Sequence, residues 1–383
     1  MNQRELHKDF SLLVQLGLGQ SVDALISIED WPALQALAME QGLHDIVLDG
    51  IEKLPASARP PQEFLLEWIG LVMQDEARYT AQQNAARKMA DLFSKNYIRT
   101  YVLKGEVVSE CYPKPEHRVS SDMDCFLLPV KGQFDAWALG NNLVKAQGYK
   151  VSTGFYKNST FYYPDLSVEN HQYMVPFRGN KRLAALEKWL QRQFKVLALR
   201  GCSGDKSEDS LEFKDSSNSS KCLSGSRIGD TWLYRPPVMV TALFLIEHAY
   251  SHFLHEGLTW RHVLDWMMFS RKHKDEIDWN ALDALIDEFS FRKFYDSYYR
   301  LGKFLLGETQ EEELNKVDRK MLADVWAPLD LHESVRGWKG KLRLAGNTWR
   351  ARWKYHYFSD ISMLHALWIQ VKGVLFEKCP KLN

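Results

Sequence analysis

Apolar residues recur at helical spacing through much of the first 96 residues. The segment from Trp31 to Gln41 shows this spacing and is followed by Gly42, a typical C-cap. Pro60–Pro61 then precede a long helical pattern from about Glu63 to about Lys95. The pattern predicts an all-helical N-terminal region, residues 1–96.

The pattern changes at Tyr97 to short apolar runs. The run IRTYVLKG is rich in β-forming residues and ends at glycine, as a buried strand would. It is followed by a short helical stretch (Glu106 to Cys111), the turn-forming YPKPEHR, a second apolar run DMDCFLLPV, a helix from about Phe134 to Ala146, and the β-like runs YKVST, STFYYP and LSVENHQYM. We therefore predict a compact α+β unit over residues 97–177.

Helical patterns return after a serine-rich interruption. Between Arg200 and Asp230 the chain is too polar to bury a core, so we predict a linker helix and a mobile insertion within residues 178–235. The patterns that follow predict a C-terminal helical domain, residues 236–383; they are VMVTALFLIEHAYSHFL, LTWRHVLDWMMFSRKH, NALDALIDEF and YDSYYRLGKFLLG.

Composition places the chain among ordinary globular proteins. Its 383 residues suggest roughly two or three domains. Lys and Arg (49) balance Asp and Glu (49), which argues against a protein that coats nucleic acid or a membrane. The hydrophobic share of 45% excludes global disorder.

The first residues and the cysteines predict a compartment. MNQRELHKDFSLLVQLGLGQ contains charged residues where a secretory signal would be apolar, and no apolar run reaches the length of a membrane span. The five cysteines are scattered without a CxxC pair, so neither a disulfide framework nor a zinc ribbon is indicated. We expect a cytoplasmic protein with reduced thiols and no membrane partner.

Asp122 and Asp124 are the most informative pair of residues. Alternate residues of a strand point to the same face, so the two carboxylates would project together, about 6–7 Å apart along the strand. Such carboxylates repel each other unless a cation lies between them, and Mg²⁺ prefers oxygen ligands. Most Asp-x-Asp pairs are solvated turn residues, but the apolar residues after Asp124 favour a metal site here.

Two segments carry a family resemblance. LKGEVVSECYPKPEHRVSSDMDCFL resembles the signature of the uncharacterised nucleotidyltransferase family within the DNA polymerase β-like superfamily, and HFLHEGLTWRHVLDWMMF resembles its downstream helical signature. The resemblance extends from the N-terminal helices almost to the C-terminus. It implies an α+β fold in which a nucleotidyltransferase palm, a mixed sheet with short helices, is flanked by N-terminal and C-terminal helical regions.

The resemblance also implies a metal site. Asp122 and Asp124 match the paired metal-binding carboxylates of the family, and Glu169 is the matching candidate for the third. Transfer through two Mg²⁺ ions uses three such carboxylates, one of which can accept the proton of the attacking hydroxyl. We therefore predict that all three residues are catalytic metal ligands. His171 would share the strand face of Glu169.

Phosphate contacts are implied for four residues. Lys104 and Gly105 match the turn between the first strand and the short helix, where backbone N–H groups can bind a triphosphate. Relatives commonly have Gly-Ser there, whereas this chain places Glu106 where phosphate would approach. Arg118 either clamps phosphate or pairs with Glu116 at a turn, and Ser121 replaces a glycine before the first aspartate.

Helix-face residues further along the chain have two interpretations. His248, His252 and His255 lie near one helix face and suggest zinc, but buried structural histidines are favoured because no HExxH pattern is present. Arg261 and Asp265 are predicted to form an intrahelical pair, with contact between Arg261 and nucleotide as the alternative.

The C-terminal stretch from Ser334 to Ser359 combines basic and aromatic residues. It contains seven Lys and Arg residues and no acid, interleaved with Trp and Tyr. This composition suits either RNA binding or a helical element that packs its aromatic residues and exposes its charges, and we favour the second interpretation.

These patterns together predict an enzyme. The expected reaction is Mg²⁺-dependent transfer of a nucleoside monophosphate from an NTP, with ATP the expected donor, to a hydroxyl of a small molecule, a sugar or a protein. One alternative is a catalytically silent module that binds a nucleotide or a protein partner on the same fold. Another is an RNA-directed enzyme or binder that uses the basic C-terminal stretch, although nucleic acid is not the favoured partner.

Overall fold

The structure, a computed structural model, describes residues 3–22, 28–131, 134–153, 156–201, 226–255, 257–326, 346 and 349–376. Its helices are α1 (Gln3–Gly17), α2 (Trp31–Glu40), α3 (His44–Glu52), α4 (Gln62–Lys95), α5 (Glu106–Ser109), α6 (Ala136–Ala146), α7 (Lys181–Gly201), α8 (Val238–His255), α9 (Trp260–Lys272), α10 (Trp279–Glu288), α11 (Arg292–Leu305), α12 (Lys316–Trp326), α13 (Arg352–Phe358) and α14 (Met363–Phe376). Its strands are β1 (Ile98–Val102), β2 (Met123–Pro129), β3 (Val151–Ser152), β4 (Asn158–Tyr163), β5 (Leu166–His171) and β6 (Leu233–Tyr234).

The strands form a mixed six-stranded sheet in the order β3-β4-β5-β2-β1-β6. β2 runs parallel to β5 and antiparallel to β1, while β6 runs parallel to β1. The predicted α+β fold with helices on both sides in sequence is thereby confirmed. The short strand β6 was not predicted, because two residues are too few to show an alternating pattern.

Side chains of β1 and β2 alternate between two buried layers. Val102, Cys125 and Leu127 pack with the second half of α4 and with α6 on one face. Tyr101 and Phe126 pack on the other face against Phe194 of α7, with ring centroids 5.1 and 4.7 Å apart. Because Asp124 shares the face of Phe126, the alternation directs its carboxylate toward the layer of C-terminal helices.

The helices before and after the sheet contribute to one continuous core. Phe10 of α1 packs edge-on against Trp326 of α12, with ring centroids 5.5 Å apart, and Trp326 also contacts Trp260 of α9 at 5.0 Å. The N-terminal helix α1 therefore packs against the helices that follow the sheet. In the part of the chain that is described, none of the helices is long and apolar enough to cross a membrane.

Two of the predicted segments fall largely outside the described residues. The serine-rich insertion overlaps residues 202–225, and the basic stretch overlaps residues 327–345 and 347–348, none of which is described. In the described part of the basic stretch, Lys354 is buried and pairs with Asp324 at 2.6 Å, while Tyr355 and Phe358 are also buried. Trp349 and Tyr357 are exposed, so this part buries some of its aromatic residues and exposes others, and the favoured interpretation stays a prediction.

Helices α1 and α3 approach each other closely at two glycines. A Cβ atom at Gly50 would overlap the backbone carbonyl of Leu13, and a Cβ at Gly17 would overlap that of Ile46. Backbone atoms cannot move aside as a flexible side chain can. Glycine is therefore required where the two helices cross.

We predict that Gly50→Ala lowers the free energy of unfolding by about 1–3 kcal/mol, because the added methyl group forces the helices apart. Gly70→Ala is the matched control, since Gly70 lies in α4 with open space around it. This control should raise stability by roughly 0.5–1 kcal/mol through helix propensity. Urea unfolding measures both changes, and equal effects of the two substitutions would contradict the close crossing.

Candidate functional site

Parallel pairing of β2 with β5 brings the predicted acidic residues together. The register places Asp124 beside Glu169 and Phe126 beside His171. The His171 Nε2 atom lies 2.9 Å from Asp124 Oδ1 and 3.6 Å from Glu169 Oε2. The period-two pattern of the two strands therefore creates a cluster of two carboxylates and one imidazole.

Asp122 joins this cluster through Lys104. Asp122 directly precedes β2, and its Oδ1 atom lies 4.0 Å from Lys104 Nζ. The same ammonium lies 3.1 Å from Asp124 Oδ2 and 2.9 Å from Nε2 of His248 on α8. The side chain of Lys104 thus lies between the predicted metal-binding aspartates and acts as their counter-charge.

Burial and ion pairing have opposite effects on these groups. Burial alone would raise the pKa of Asp124, which is 1% exposed, but Lys104 and the His171 hydrogen bond hold that pKa well below its usual range. Burial lowers the pKa of His171, yet its hydrogen bond to Asp124 and the nearby Glu169 carboxylate outweigh burial and raise it. The nearby imidazole of His171 lowers the pKa of Glu169. The cluster therefore favours ionised carboxylates.

The cluster lies in the wall of a cavity of about 1620 Å³ between the sheet and the C-terminal helices. Ligand pockets usually measure about 300–1,000 Å³, so this cavity has room for a nucleotide and a second substrate. The predicted residues in its lining are Lys104, Ser121, Asp122, Asp124 and Glu169. Helices α8 and α9 contribute Glu247, His248, His252, Arg261 and His262, most of which sequence reasoning did not place at the site.

The turn that contains Gly105 is adjacent to Asp122. Gly105 has φ +76° and ψ −112°, a conformation that residues with a Cβ rarely adopt, and a Cβ there would contact the Asp122 carbonyl at 3.6 Å.

Glu106 was expected where phosphate would approach. Its carboxylate instead lies 2.6 and 3.0 Å from the amide nitrogen of Gln83, once that amide is oriented to donate. Burial, and then repulsion from Glu110, raise the pKa of Glu106 to about 7.

Arg118 lies away from the cavity wall, in a buried ion pair. It is 2% exposed and donates to both oxygens of Asp265 at 2.6 and 2.7 Å. Tyr112 donates to the same carboxylate at 2.7 Å. The structure thus pairs Arg118 with a residue of α9 and not with the neighbouring Glu116. Because the partner is distant in sequence, no local pattern indicated it.

Arg261 takes the place at the cavity that was expected for Arg118. Its guanidinium donates to the Val119 carbonyl at 2.8 Å and lines the cavity beside Asp122. Asp265 does not accept a hydrogen bond from Arg261, as the predicted intrahelical pair would require. It accepts hydrogen bonds from Arg118 and Tyr112 instead. The alternative, an Arg261 that faces the ligand, therefore fits the geometry better.

The histidine group differs by one member from the predicted one. Ring nitrogens of His248, His252 and His262 lie within 4.8 Å of one another, whereas His255 is exposed and contacts the Ser251 carbonyl. Burial, together with nearby cations, keeps the pKa of His248 and His262 well below the usual range. These two imidazoles are therefore neutral hydrogen-bonding groups of the cavity wall.

The donor set at β2 and β5 suits a divalent cation. Asp124, Glu169 and His171 each present a ligand atom within 4.8 Å of the others. The Nδ1 atom of His171 lies 3.1 Å from the Tyr173 carbonyl and can donate its proton there, so Nε2 could bind a cation once it has released the proton that it shares with Asp124. Carboxylate oxygens with one such imidazole can hold a divalent cation.

Comparison with known proteins assigns the chain to a family. Residues 27–307 match the family described as uncharacterised nucleotidyltransferase. The chain belongs to this family. The resemblance seen in the sequence is thereby confirmed, and this nucleotidyltransferase is a transferase that moves nucleotide groups. No curated protein and no solved structure matches the chain.

The loop before Asp122 is anchored to the N-terminal helices of the nucleotidyltransferase. Asp49 of α3 accepts from Lys114 at 2.5 Å and from His117 Nδ1 at 2.7 Å, and His117 Nε2 lies 2.9 Å from Glu76 of α4. Burial lowers the pKa of His117, but the two carboxylates outweigh it and raise the pKa to about 9. His117 is therefore an imidazolium at neutral pH.

We predict that Asp265→Asn lowers stability by about 3–5 kcal/mol, because it leaves the Arg118 guanidinium buried without its charged partner. Asp287→Asn is the control, since Asp287 pairs with Arg292 at the surface. Chemical denaturation measures the difference. A loss below 1 kcal/mol in Asp265→Asn would show that the buried pair contributes little.

The contribution of His117 to the free energy of unfolding should depend on pH. Its pKa rises from 6.5 to about 9 on folding, so the stabilisation is fully present below pH 6.5 and is lost as pH rises through 9. We expect the stability difference between wild type and His117→Gln to be large at pH 6 and small at pH 10. Urea unfolding at both pH values tests this expectation, and a constant difference would contradict it.

Proposed function

We propose that the protein transfers a nucleoside monophosphate from an NTP, with ATP as the expected donor, to a hydroxyl of an acceptor, and that Mg²⁺ is required. One observation carries the proposal. Asp122, Asp124 and Glu169 line the same large cavity as Lys104 and Arg261, so acidic metal ligands and basic phosphate ligands face one space. A nucleotide triphosphate with its cations needs that combination.

The three carboxylates would hold the divalent cations. When bound, Mg²⁺ would neutralise charge on the triphosphate and lower the pKa of the attacking hydroxyl. Glu169 is fixed for this role, since Asn158 donates to its Oε2 atom at 2.6 Å. Its pKa, lowered first by the nearby His171 imidazole, keeps the carboxylate ionised and able to accept a proton or a cation.

The basic residues would bind the phosphates. Lys104 neutralises Asp122 and Asp124 in the structure, and this attraction weakens once a dication shares their charge. Its ammonium is then available to a phosphate oxygen while His248 still holds it at 2.9 Å. Ser121 donates to Asp122 Oδ1 at 3.2 Å and orients that carboxylate.

The remainder of the cavity suits an organic acceptor. Away from the carboxylates its wall contains aromatic and aliphatic side chains, including Tyr156, Leu183, Tyr250 and Tyr355. Arg178 lies over the Tyr156 ring at 4.4 Å and adds a positive charge. Flat rings beside a few polar groups typically bind sugars and other small hydroxylated molecules.

A catalytically silent module remains the rival function, and one observation favours it. Asp124 is already neutralised by Lys104 and His171 at 3.1 and 2.9 Å, so a cation must displace these partners to bind. RNA binding is less favoured, because Lys354 of the basic stretch is buried and pairs with Asp324.

We predict that Asp122→Asn and Asp124→Asn each reduce Mg²⁺-dependent pyrophosphate release by at least about 10³-fold, because each removes a metal ligand. Asp165→Asn is the matched control. Asp165 lies in the β4–β5 turn with φ +63°, which asparagine also adopts, so this variant should keep wild-type activity. Release of pyrophosphate is measured from each of the four NTPs with candidate acceptors.

Nucleotide binding separates the enzyme from the silent module. A wild-type protein that binds an NTP with Mg²⁺ but releases no pyrophosphate with sugars, polyols or protein acceptors favours the silent module. Activity that survives in Asp124→Asn would overturn the metal assignment. Retention on RNA that falls steeply with salt would support the RNA-directed alternative instead.

A further inference from the structure

A second cluster of metal-ligating side chains lies between α3 and α4, outside the nucleotidyl-transfer cavity. His44 and Asp45 begin α3, and Asp75 lies within α4. The His44 Nε2 atom lies 2.6 Å from Asp75 Oδ2 and 3.1 Å from Asp45 Oδ1. All three residues present a ligand atom within 4.8 Å of the others.

These separations are close to those of ligands around one metal ion. Nitrogen and oxygen donors bind a transition-metal dication at about 2.0–2.2 Å, so two neighbouring donors lie roughly 2.8–3.5 Å apart in tetrahedral or octahedral geometry. The observed values of 2.6 and 3.1 Å fall near this range. Only small rotations of the three side chains would be needed to bind an ion.

Asp45 provides an independent observation. Its side chain is 0% exposed, and neither carboxylate oxygen accepts a hydrogen bond. The one proton that His44 Nε2 can donate is directed to the nearer oxygen, that of Asp75. A buried carboxylate without a hydrogen bond is costly, so the arrangement indicates a missing positive partner.

The neighbouring charges do not supply that partner. Arg78 pairs with Asp75 through the Oδ1 atom and leaves Oδ2 directed to His44. Lys114 and His117 pair with Asp49, one helical turn after Asp45. Each nearby acid except Asp45 therefore has a full ion pair.

We propose that His44, Asp45 and Asp75 form a binding site for a first-row transition-metal dication such as Zn²⁺ or Mn²⁺. One imidazole and two carboxylates are a ligand set typical of these ions. Side chains of His44 and Asp75 retain 10% and 11% exposure, and Asp75 and Arg78 line a small pocket beside the site. The ion would tie α3 to α4.

The site would also support the loop that leads to the catalytic aspartates. Asp49 and Glu76, which anchor His117, each lie within one turn of a proposed ligand, on α3 and α4. A metal that fixes the relative position of these two helices would therefore fix the loop before Asp122. Its role is structural, so its test does not depend on the transfer reaction.

The test measures metal binding and stability in full-length protein that carries Asp124→Asn, which removes one of the carboxylate ligands predicted at the cavity. After EDTA treatment, Zn²⁺ or Mn²⁺ is titrated by calorimetry and thermal unfolding is followed. We expect one ion per chain and a higher Tm. Adding Asp45→Asn should weaken this binding at least tenfold and remove the shift in Tm, and Asp75→Asn should do the same.

Two controls make the outcome decisive. Asp91→Asn removes an exposed carboxylate of α4 and should leave metal binding unchanged. Without metal, Asp45→Asn should be at least as stable as its parent, because it removes a buried carboxylate that has no hydrogen bond. The proposal is overturned if the parent binds neither ion, if Asp45→Asn binds as its parent does, or if only His252→Gln abolishes binding.

Discussion

The buried charge of Asp124 is the constraint on which the site depends. A carboxylate that is 1% exposed at the base of a cavity needs cations, and Lys104 and His171 supply them at 3.1 and 2.9 Å. These partners come from the end of β1 and from β5, and His248 of α8 holds the lysine. The contacts of this one side chain therefore connect β1, β2, β5 and α8. Because Asp124 needs a counter-charge, a lysine side chain lies in the cavity wall.

A second set of ion pairs positions the loop that enters β2. His117 binds carboxylates of α3 and α4, while Arg118, the next residue, binds Asp265 of α9. Two adjacent residues thus anchor the loop before Asp122, one to the N-terminal helices and the other to the C-terminal helices. A site held in this way loses less entropy when it binds a charged ligand. The loop is therefore positioned by buried electrostatics more than by its own turn sequence.

Local patterns predicted most of the sheet and part of the site. The β-like runs located β1 to β5, and because alternate residues share a face, they also placed Glu169 and His171 side by side. Partners distant in the chain could not be predicted in this way. Lys104 contacts His248 and Arg118 contacts Asp265, each across more than 140 residues, and His262 enters the histidine group from a different helix.

Short-range periodicity and motifs that are continuous in the chain were enough to predict the order of most helices and strands, the acidic pair at β2 and the family. Three features became visible only in the folded chain: which arginine reaches the cavity, which cations neutralise Asp124, and how the N-terminal and C-terminal helices share one core. Those outcomes depend on side chains that come within a few ångströms only after the sheet and helices have packed. The electrostatic energy between two charges depends on their distance in space and not on how many residues separate them along the chain.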